Sequence, residues 1–288
     1  MSTAIGVPAV VAVIGGGRMG AGIAQVFAVA GAEVTIAEAD DISATAAIER
    51  VAGGLHRAAE KGKLDADPEA VLRRLATVTS LSKIPADAGL VIEAVPELIA
   101  AKLAVLTAVE KAVSRTAVLA SNTSSLSITD MGAALEHPQR FIGMHFFNPV
   151  PASALVEVVR APETDGPTLK NVLDWVHTLG KTDVVVKDSP GFATSRLGVA
   201  LGLEAIRMLE EGIADAESID RAMELGYRHP MGPLRSTDLV GLDVRLAIAE
   251  HLAATLGARF DPPQLLRDKV SHGDLGRKTG QGFYSWRT

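Results

Sequence analysis

The 288-residue sequence contains no cysteine. Disulfides, thiolate metal sites and cysteine nucleophiles are therefore excluded, and the composition fits a reducing compartment. Aromatic residues are scarce, with 7 Phe, 2 Trp and 2 Tyr. Because 48% of residues are hydrophobic, the core must be built from Ala, Val, Leu and Ile, which favours helices packed on a Val/Ile-rich sheet. Few aromatics and a net charge of −6, from 28 Lys+Arg against 34 Asp+Glu, argue against a stacking platform for single strands and against broad nucleic-acid binding. No apolar run approaches the roughly 18 residues of a spanning helix, and Met1–Ala9 lacks the positively charged start of a leader. A soluble, cytoplasmic protein with no membrane partner is expected. H-E-x-x-H, Cys/His clusters and G-x-S-x-G are absent too, so no metal is implied. Gly276-Arg-Lys-Thr-Gly280 falls short of a phosphate loop because Arg277 stands where a glycine is required.

Short β-branched runs alternating with helical stretches fill the first two-thirds of the chain. Val10–Ile14, Glu33–Ala37, Leu90–Glu93, Val118–Ser121, Phe141–His145, Leu155–Val159 and Thr182–Val186 read as strands. Helices are expected at Gly20–Ala30, Ile42–Lys61, Glu97–Ala112 and Thr168–Leu179. This alternation means an α/β fold with a doubly wound, mostly parallel sheet. Beyond Lys187-Asp-Ser-Pro-Gly191 only helical periodicity remains, at Phe192–Glu211, Glu217–Leu225, Leu239–Leu256 and Pro262–Val270. Two domains follow, residues 1–187 and a smaller all-helical domain at 188–288.

Gly15-Gly16-Gly17-Arg18-Met19-Gly20 is a G-x-G-x-x-G sequence between a strand and a helix. Gly15 permits a tight turn, Gly17 lets the backbone approach a pyrophosphate, and Gly20 lets helix and strand pack closely. The helix start then offers unpaired N–H groups to phosphate, as in a Rossmann-type domain. Glu38, at the end of the second strand, can accept the adenosine ribose hydroxyls and repel a 2′-phosphate, which favours NAD over NADP. The glycines alone do not separate NAD from FAD.

Ser121-Asn-Thr-Ser-Ser125 and Gly143-Met-His-Phe-Phe-Asn-Pro149 follow strands at the ends where open α/β sheets place their ligands. His145 is the histidine so placed, and Glu157 is the lone acid in Leu155-Val-Glu-Val-Val159. A carboxylate in a buried strand needs a partner, and a His–Glu pair makes a general base. Spacing alone equally allows a satisfied core histidine and an edge-strand glutamate.

Together with Leu155-Val-Glu-Val158, Pro190-Gly-Phe192, Met231-Gly-Pro233 and Lys278-Thr-Gly-Gln-Gly-Phe-Tyr284, these motifs resemble the 3-hydroxyacyl-CoA dehydrogenases, above all the compact bacterial 3-hydroxybutyryl-CoA dehydrogenases. The resemblance runs from about Val10 to Tyr284. It implies reversible oxidation of a (3S)-3-hydroxyacyl-CoA to the 3-oxoacyl-CoA with NAD taking the hydride, in fatty-acid or butanoate metabolism. It implies His145 as the base, Glu157 as its orienting partner, and Ser124 and Asn148 as substrate contacts, Ser124 also beside the nicotinamide. Gly15–Gly20, Glu38, Glu97, Lys102 and Lys278 would contact NAD. Lys61 would contact CoA, although Lys61 and Lys63 also read as an ordinary solvated helix end. A homodimer through the helical domain is implied as well.

The chain departs from the family at Pro190-Gly-Phe-Ala-Thr-Ser-Arg196, where Ser195 replaces a substrate-contacting asparagine. Serine is shorter by an amide group and reaches the same oxygen only through water or a backbone shift. Two other activities fit parts of the pattern: an NAD dehydrogenase of a non-CoA hydroxy acid such as carnitine or a sugar acid, and a catalytically idle NAD-binding protein. The joint presence of Ser124, His145, Asn148 and Glu157 disfavours the second.

Overall fold

The computed structural model describes residues 6–286, so the outer ends of the two expected domains and part of the Met1–Ala9 leader reading lie outside the described residues. Residues up to Asp188 form one compact unit and those from Ser189 a second. In chain order the first unit contains β1 (Val10–Ile14), α1 (Arg18–Val29), β2 (Glu33–Ala37), α2 (Asp41–Glu60), α3 (Pro68–Leu72), β3 (Leu75–Val78), β4 (Leu90–Glu93), α4 (Ile99–Ala112), β5 (Val118–Ser121), α5 (Ile128–Gly132), β6 (Phe141–Phe146), β7 (Leu155–Arg160), α6 (Gly166–Thr178) and β8 (Thr182–Lys187).

The strands form one sheet in the order β3-β2-β1-β4-β5-β6-β7-β8. From β3 to β6 neighbouring strands are parallel; β7 runs antiparallel to β6, and β8 is parallel to β7. This is the doubly wound, mostly parallel sheet that the alternating pattern implies. β1, β4, β5 and β6 are buried along nearly their whole length, which is why they read as continuous apolar runs rather than as alternating ones. α1 and α2 cover the β1 region with a small-residue face: Ala21, Ile23, Ala24, Phe27, Ala47, Val51 and Leu55 join Val11, Val13, Val34 and Ile36 in one cluster. Fully burying a side chain such as Phe27 or Ile36 contributes about 1.5–3 kcal/mol. β3 escaped the sequence reading because it is a four-residue edge strand, nowhere fully buried.

The second unit is helical: α7 (Thr194–Glu210), α8 (Ala216–Arg221), α9 (Pro233–Val240), α10 (Leu242–Leu256) and α11 (Gln264–Ser271). They close on a core of Val199, Leu203, Ile206, Leu234, Leu242, Leu252 and Phe260. The single helix expected at Leu239–Leu256 is two, α9 and α10, divided at Gly241. Its φ of 105° lies where an L side chain is strained, so the chain turns there.

Candidate active site

The strand order reverses between β1 and β4, and a cleft of about 680 Å³ opens at the C-terminal ends of these strands, lined by Gly15, Gly17, Met19, Glu38, Val95 and Pro96 among others. Such a switch point is where open α/β sheets bind ligands. The glycines divide their work as their spacing implies. Gly15 has φ 91°, and a Cβ there would come within 2.9 Å of the Ala94 carbonyl oxygen. A Cβ on Gly20 would stand 1.7 Å from the Gly15 oxygen, so this position fixes how closely α1 packs. Gly17 faces open space, with nothing within 4 Å of an added Cβ. It is also the N-cap of α1 and makes no side-chain cap bond, leaving first-turn N–H groups to an incoming anion. Glu38 reaches this loop, its Oε1 accepting the Gly16 N–H at 2.6 Å. A close backbone approach, a helix start and a carboxylate at the second strand fit the pyrophosphate and ribose of a dinucleotide.

Next along the sheet edge stands a buried ionic network. Glu93, the last residue of β4, is fully buried and takes the Val95 N–H at 2.7 Å, the Ser121 hydroxyl at 2.6 Å and the Lys102 ammonium at 2.7 Å. Lys102 also donates to the Val95 carbonyl at 3.2 Å and pairs with Glu97 at 3.2 Å. Three partners account for its three N–H donors, so the arrangement assigns Lys102 to holding Glu97. Glu97 in turn gathers the turn after β5: its Oε1 accepts the Thr123 hydroxyl at 2.5 Å and the Ser124 and Ser125 N–H groups at 3.0 and 3.2 Å. Burial opposes the charge on Glu97, but Lys102 and these donors outweigh it and hold its carboxyl below the ordinary value of 4.5. Ser124 is thus fixed at the C-terminal end of β5.

β6 follows, and its antiparallel register with β7 sets His145 opposite Glu157. Directly opposed residues on adjacent strands bring their side chains within reach on one face. Here the imidazole Nδ1 lies 2.8 Å from Glu157 Oε2, with Glu157 fully buried and His145 only 7% exposed. With Nδ1 donating to the carboxylate, Nε2 is the basic nitrogen. Phe147 packs against the imidazole at a tilt of 46°, with 4.3 Å between ring centroids, and Asn122 Oδ1 accepts the Phe146 N–H at 2.8 Å, tying the ends of β5 and β6 together. The arrangement can accept a proton in a water-poor setting.

Asn148 borders a second cleft, of about 590 Å³, on the other side of α1. Arg18, Arg50 and Arg57 line it, and Arg50 also donates to the Gly16 carbonyl at 3.1 Å. The loop from Asn148 to Ser153 is held from below by Lys181, whose ammonium donates to the Val150 and Ser153 carbonyls at 2.7 and 2.6 Å. Lys61 is an exposed cap of α2 outside this cleft lining. Of the cations that line the cleft, Arg18 opens α1 and Arg50 and Arg57 lie earlier on α2 than Lys61, and sequence reasoning passed over Arg50. It missed Glu93 too, although a lone acid closing the apolar run Leu90-Val-Ile-Glu93 carries the same signal as Glu157. In the second unit, Ser195 is half-buried in the first turn of α7, and Lys278 pairs with Asp243 at 2.5 Å.

Comparison with known proteins decides the lineage. The sequence profile of the 3-hydroxyacyl-CoA dehydrogenase NAD-binding domain matches residues 10–189, and that of the family's C-terminal domain matches residues 191–286. The chain belongs to the 3-hydroxyacyl-CoA dehydrogenase family. A 3-hydroxybutyryl-CoA dehydrogenase of Mycobacterium tuberculosis is 43% identical, the match covering 96% of this chain and 98% of that protein. The mitochondrial hydroxyacyl-coenzyme A dehydrogenase of Sus scrofa is 38% identical over 96% of this chain and 91% of its own. Among solved structures, an (S)-3-hydroxybutyryl-CoA dehydrogenase from Ralstonia eutropha superposes with a TM-score of 0.93 at 40% identity, covering 98% of this chain and all of that one.

Family membership makes NAD the cofactor and the oxidation of a 3-hydroxyacyl-CoA to a 3-oxoacyl-CoA the reaction. The FAD reading that the glycines left open, the non-CoA dehydrogenase and the idle NAD-binding protein all give way to this one. No helix among the described residues is long and apolar enough to cross a membrane.

Proposed function

We propose that His145 takes the proton of the substrate's 3-hydroxyl, with Glu157 holding the imidazole in the tautomer that presents Nε2 and stabilising the imidazolium that forms. The buried 2.8 Å bond between His145 Nδ1 and Glu157 Oε2 carries this reading. NAD, when bound, accepts the hydride from C3 of the substrate. Gly15–Gly20 and Glu38 hold the dinucleotide. Ser124 donates to the substrate oxygen and Asn148 steadies the substrate, while Glu97, backed by Lys102, keeps the Ser124 turn in place. Ser195 and Lys278 keep the substrate and dinucleotide roles that the family resemblance implies.

The substrate is a (3S)-3-hydroxyacyl-CoA of short chain, in keeping with the named bacterial relatives. Arg18, Arg50 and Arg57 support a CoA ester over a small free acid, because three guanidinium groups around one cleft suit a polyanionic handle. The enzyme works in the cytoplasm as a homodimer associating through the helical unit, where Leu225 and Tyr227 stand exposed. A solution mass equal to one chain would refute the dimer.

The deciding experiment measures NADH formation from 3-hydroxybutyryl-CoA by His145→Ala and Glu157→Ala. Turnover should fall by about 10²- to 10⁴-fold while NAD affinity is kept. Wild-type rates in both variants would remove His145 as the base. Activity on carnitine or gulonate without activity on any CoA ester would remove the substrate assignment.

A further inference from the structure

Arg18 stands at the corner where the two clefts of the first unit meet α1. It is the first residue of the helix, directly after the N-cap Gly17. The dinucleotide cleft is lined by Arg18 with Gly15, Gly17 and Met19, and the second cleft by Arg18 with Ala21, Gly22 and Gln25. Among the described residues no other side chain borders both. The spacing explains this double position. Residues 18, 21, 22 and 25 fall at i, i+3, i+4 and i+7, so they form one stripe along α1, and that stripe faces the second cleft. The start of the helix faces the first, where its first-turn N–H groups are open to an anion.

The Arg18 guanidinium is uncommitted. Arg18 is exposed, and among the described residues it makes no ion pair with either acid of the two linings, Glu38 or Glu49. Glu38 bonds the Gly16 amide instead, and the neighbouring Arg50 donates to the Gly16 carbonyl. An exposed arginine without a partner samples many rotamers, and holding it in one costs conformational entropy. Its five donors form a planar fork that can serve two oxyanions at once.

We infer that Arg18 is shared by the two ligands, bonding the pyrophosphate of NAD on one side and a phosphate of the CoA ester on the other, so that each tightens the binding of the other. Fixed charges alone would give the reverse, since two polyanions in adjoining clefts repel. The gain comes from order: the first anion to arrive fixes the side chain, and the second meets it already in place. By linkage the effect has the same size in both directions. This coupling rests on the CoA reading of the second cleft proposed above.

Calorimetry on the full-length protein tests it, with NAD and free coenzyme A as the probes. The dissociation constant of NAD is measured alone and again with coenzyme A at saturation, and the ratio of the first to the second is the coupling. In the wild type coenzyme A should tighten NAD by about 5- to 20-fold, and NAD should tighten coenzyme A by the same factor. Arg18→Met should weaken each ligand and bring the ratio to one or below, whereas Arg57→Met should weaken coenzyme A and leave the ratio as in the wild type. A wild-type ratio of one or less overturns the inference, and so does an Arg18→Met ratio equal to wild type, the result expected if Arg18 served one ligand alone. Loss of the coupling in Arg57→Met as well would assign it to the general charge of the cleft and overturn the role of Arg18. Coenzyme A that binds without altering NAD removes the coupling alone, whereas coenzyme A that fails to bind at all removes the reading of the second cleft on which it rests.

Discussion

Glu38 and Lys102 are single side chains with separable tasks. Glu38 sits on the loop that takes the dinucleotide, its carboxylate 2.6 Å from the Gly16 amide, where a 2′-phosphate would meet like charge. Glu38→Ala should therefore raise the NADP-to-NAD ratio of kcat/KM by about 10- to 100-fold, read from initial rates with each cofactor. Lys102 is the counter-ion of a fully buried Glu93. Lys102→Met should cost about 3–5 kcal/mol of stability, because it strands a buried carboxylate. Urea unfolding of the holoenzyme measures this, and a midpoint equal to wild type would show that Glu93 finds another partner. Glu157 was legible in the sequence as an acid stranded in an apolar strand. Glu93 was equally stranded, but its lysine is nine residues on in a helix, and only the packed structure brings that ammonium to it.

Among the elements, the turn after β5 depends on one carboxylate. Glu97 is ionised more readily in the fold than in the open chain, so the support it gives is complete above the ordinary value of 4.5 and is lost as pH falls through its lower folded value. NAD affinity should accordingly hold as pH passes the ordinary value of 4.5 and drop only as it nears the lower folded value, and Glu97→Gln should show weakened binding already at neutral pH with a flatter acid limb. Calorimetric titration of NAD across pH 3.5 to 7 would decide it, and an unchanged profile would free the turn from Glu97. Elements with strong periodicity or continuous burial were readable: β1, β2 and β4 to β8 fall where their β-branched runs lie. β3 was not, because Leu75-Ala-Thr-Val78 is short and nowhere fully buried. The break at Gly241 was hidden for the opposite reason, since apolar spacing continues across it and only the backbone angle interrupts the helix.

For the whole molecule, a net charge of −6 sets the general field against a CoA ester, so local cations must draw it in. Arg57→Met should raise KM for 3-hydroxybutyryl-CoA about tenfold with little change in kcat, and should leave KM for the 3-hydroxybutyryl thioester of pantetheine as it was. Equal losses on both thioesters would separate Arg57 from the nucleotide end of CoA. The place of these cations was the least legible part of the chain, because Arg50, Arg57 and Lys61 share one helix in sequence and only the position of α1 selects which of them face a cleft. The antiparallel pairing of β6 with β7 has a wider consequence. His145 and Glu157 are aligned by strand register rather than by a flexible loop, and β8 shields β7 from the sheet's open edge. The proposed base thus works as a gauge of the β6–β7 ladder: a one-residue slip would turn the two groups to opposite faces. Turnover should then persist through loosening of surface loops and vanish only when that ladder itself comes apart.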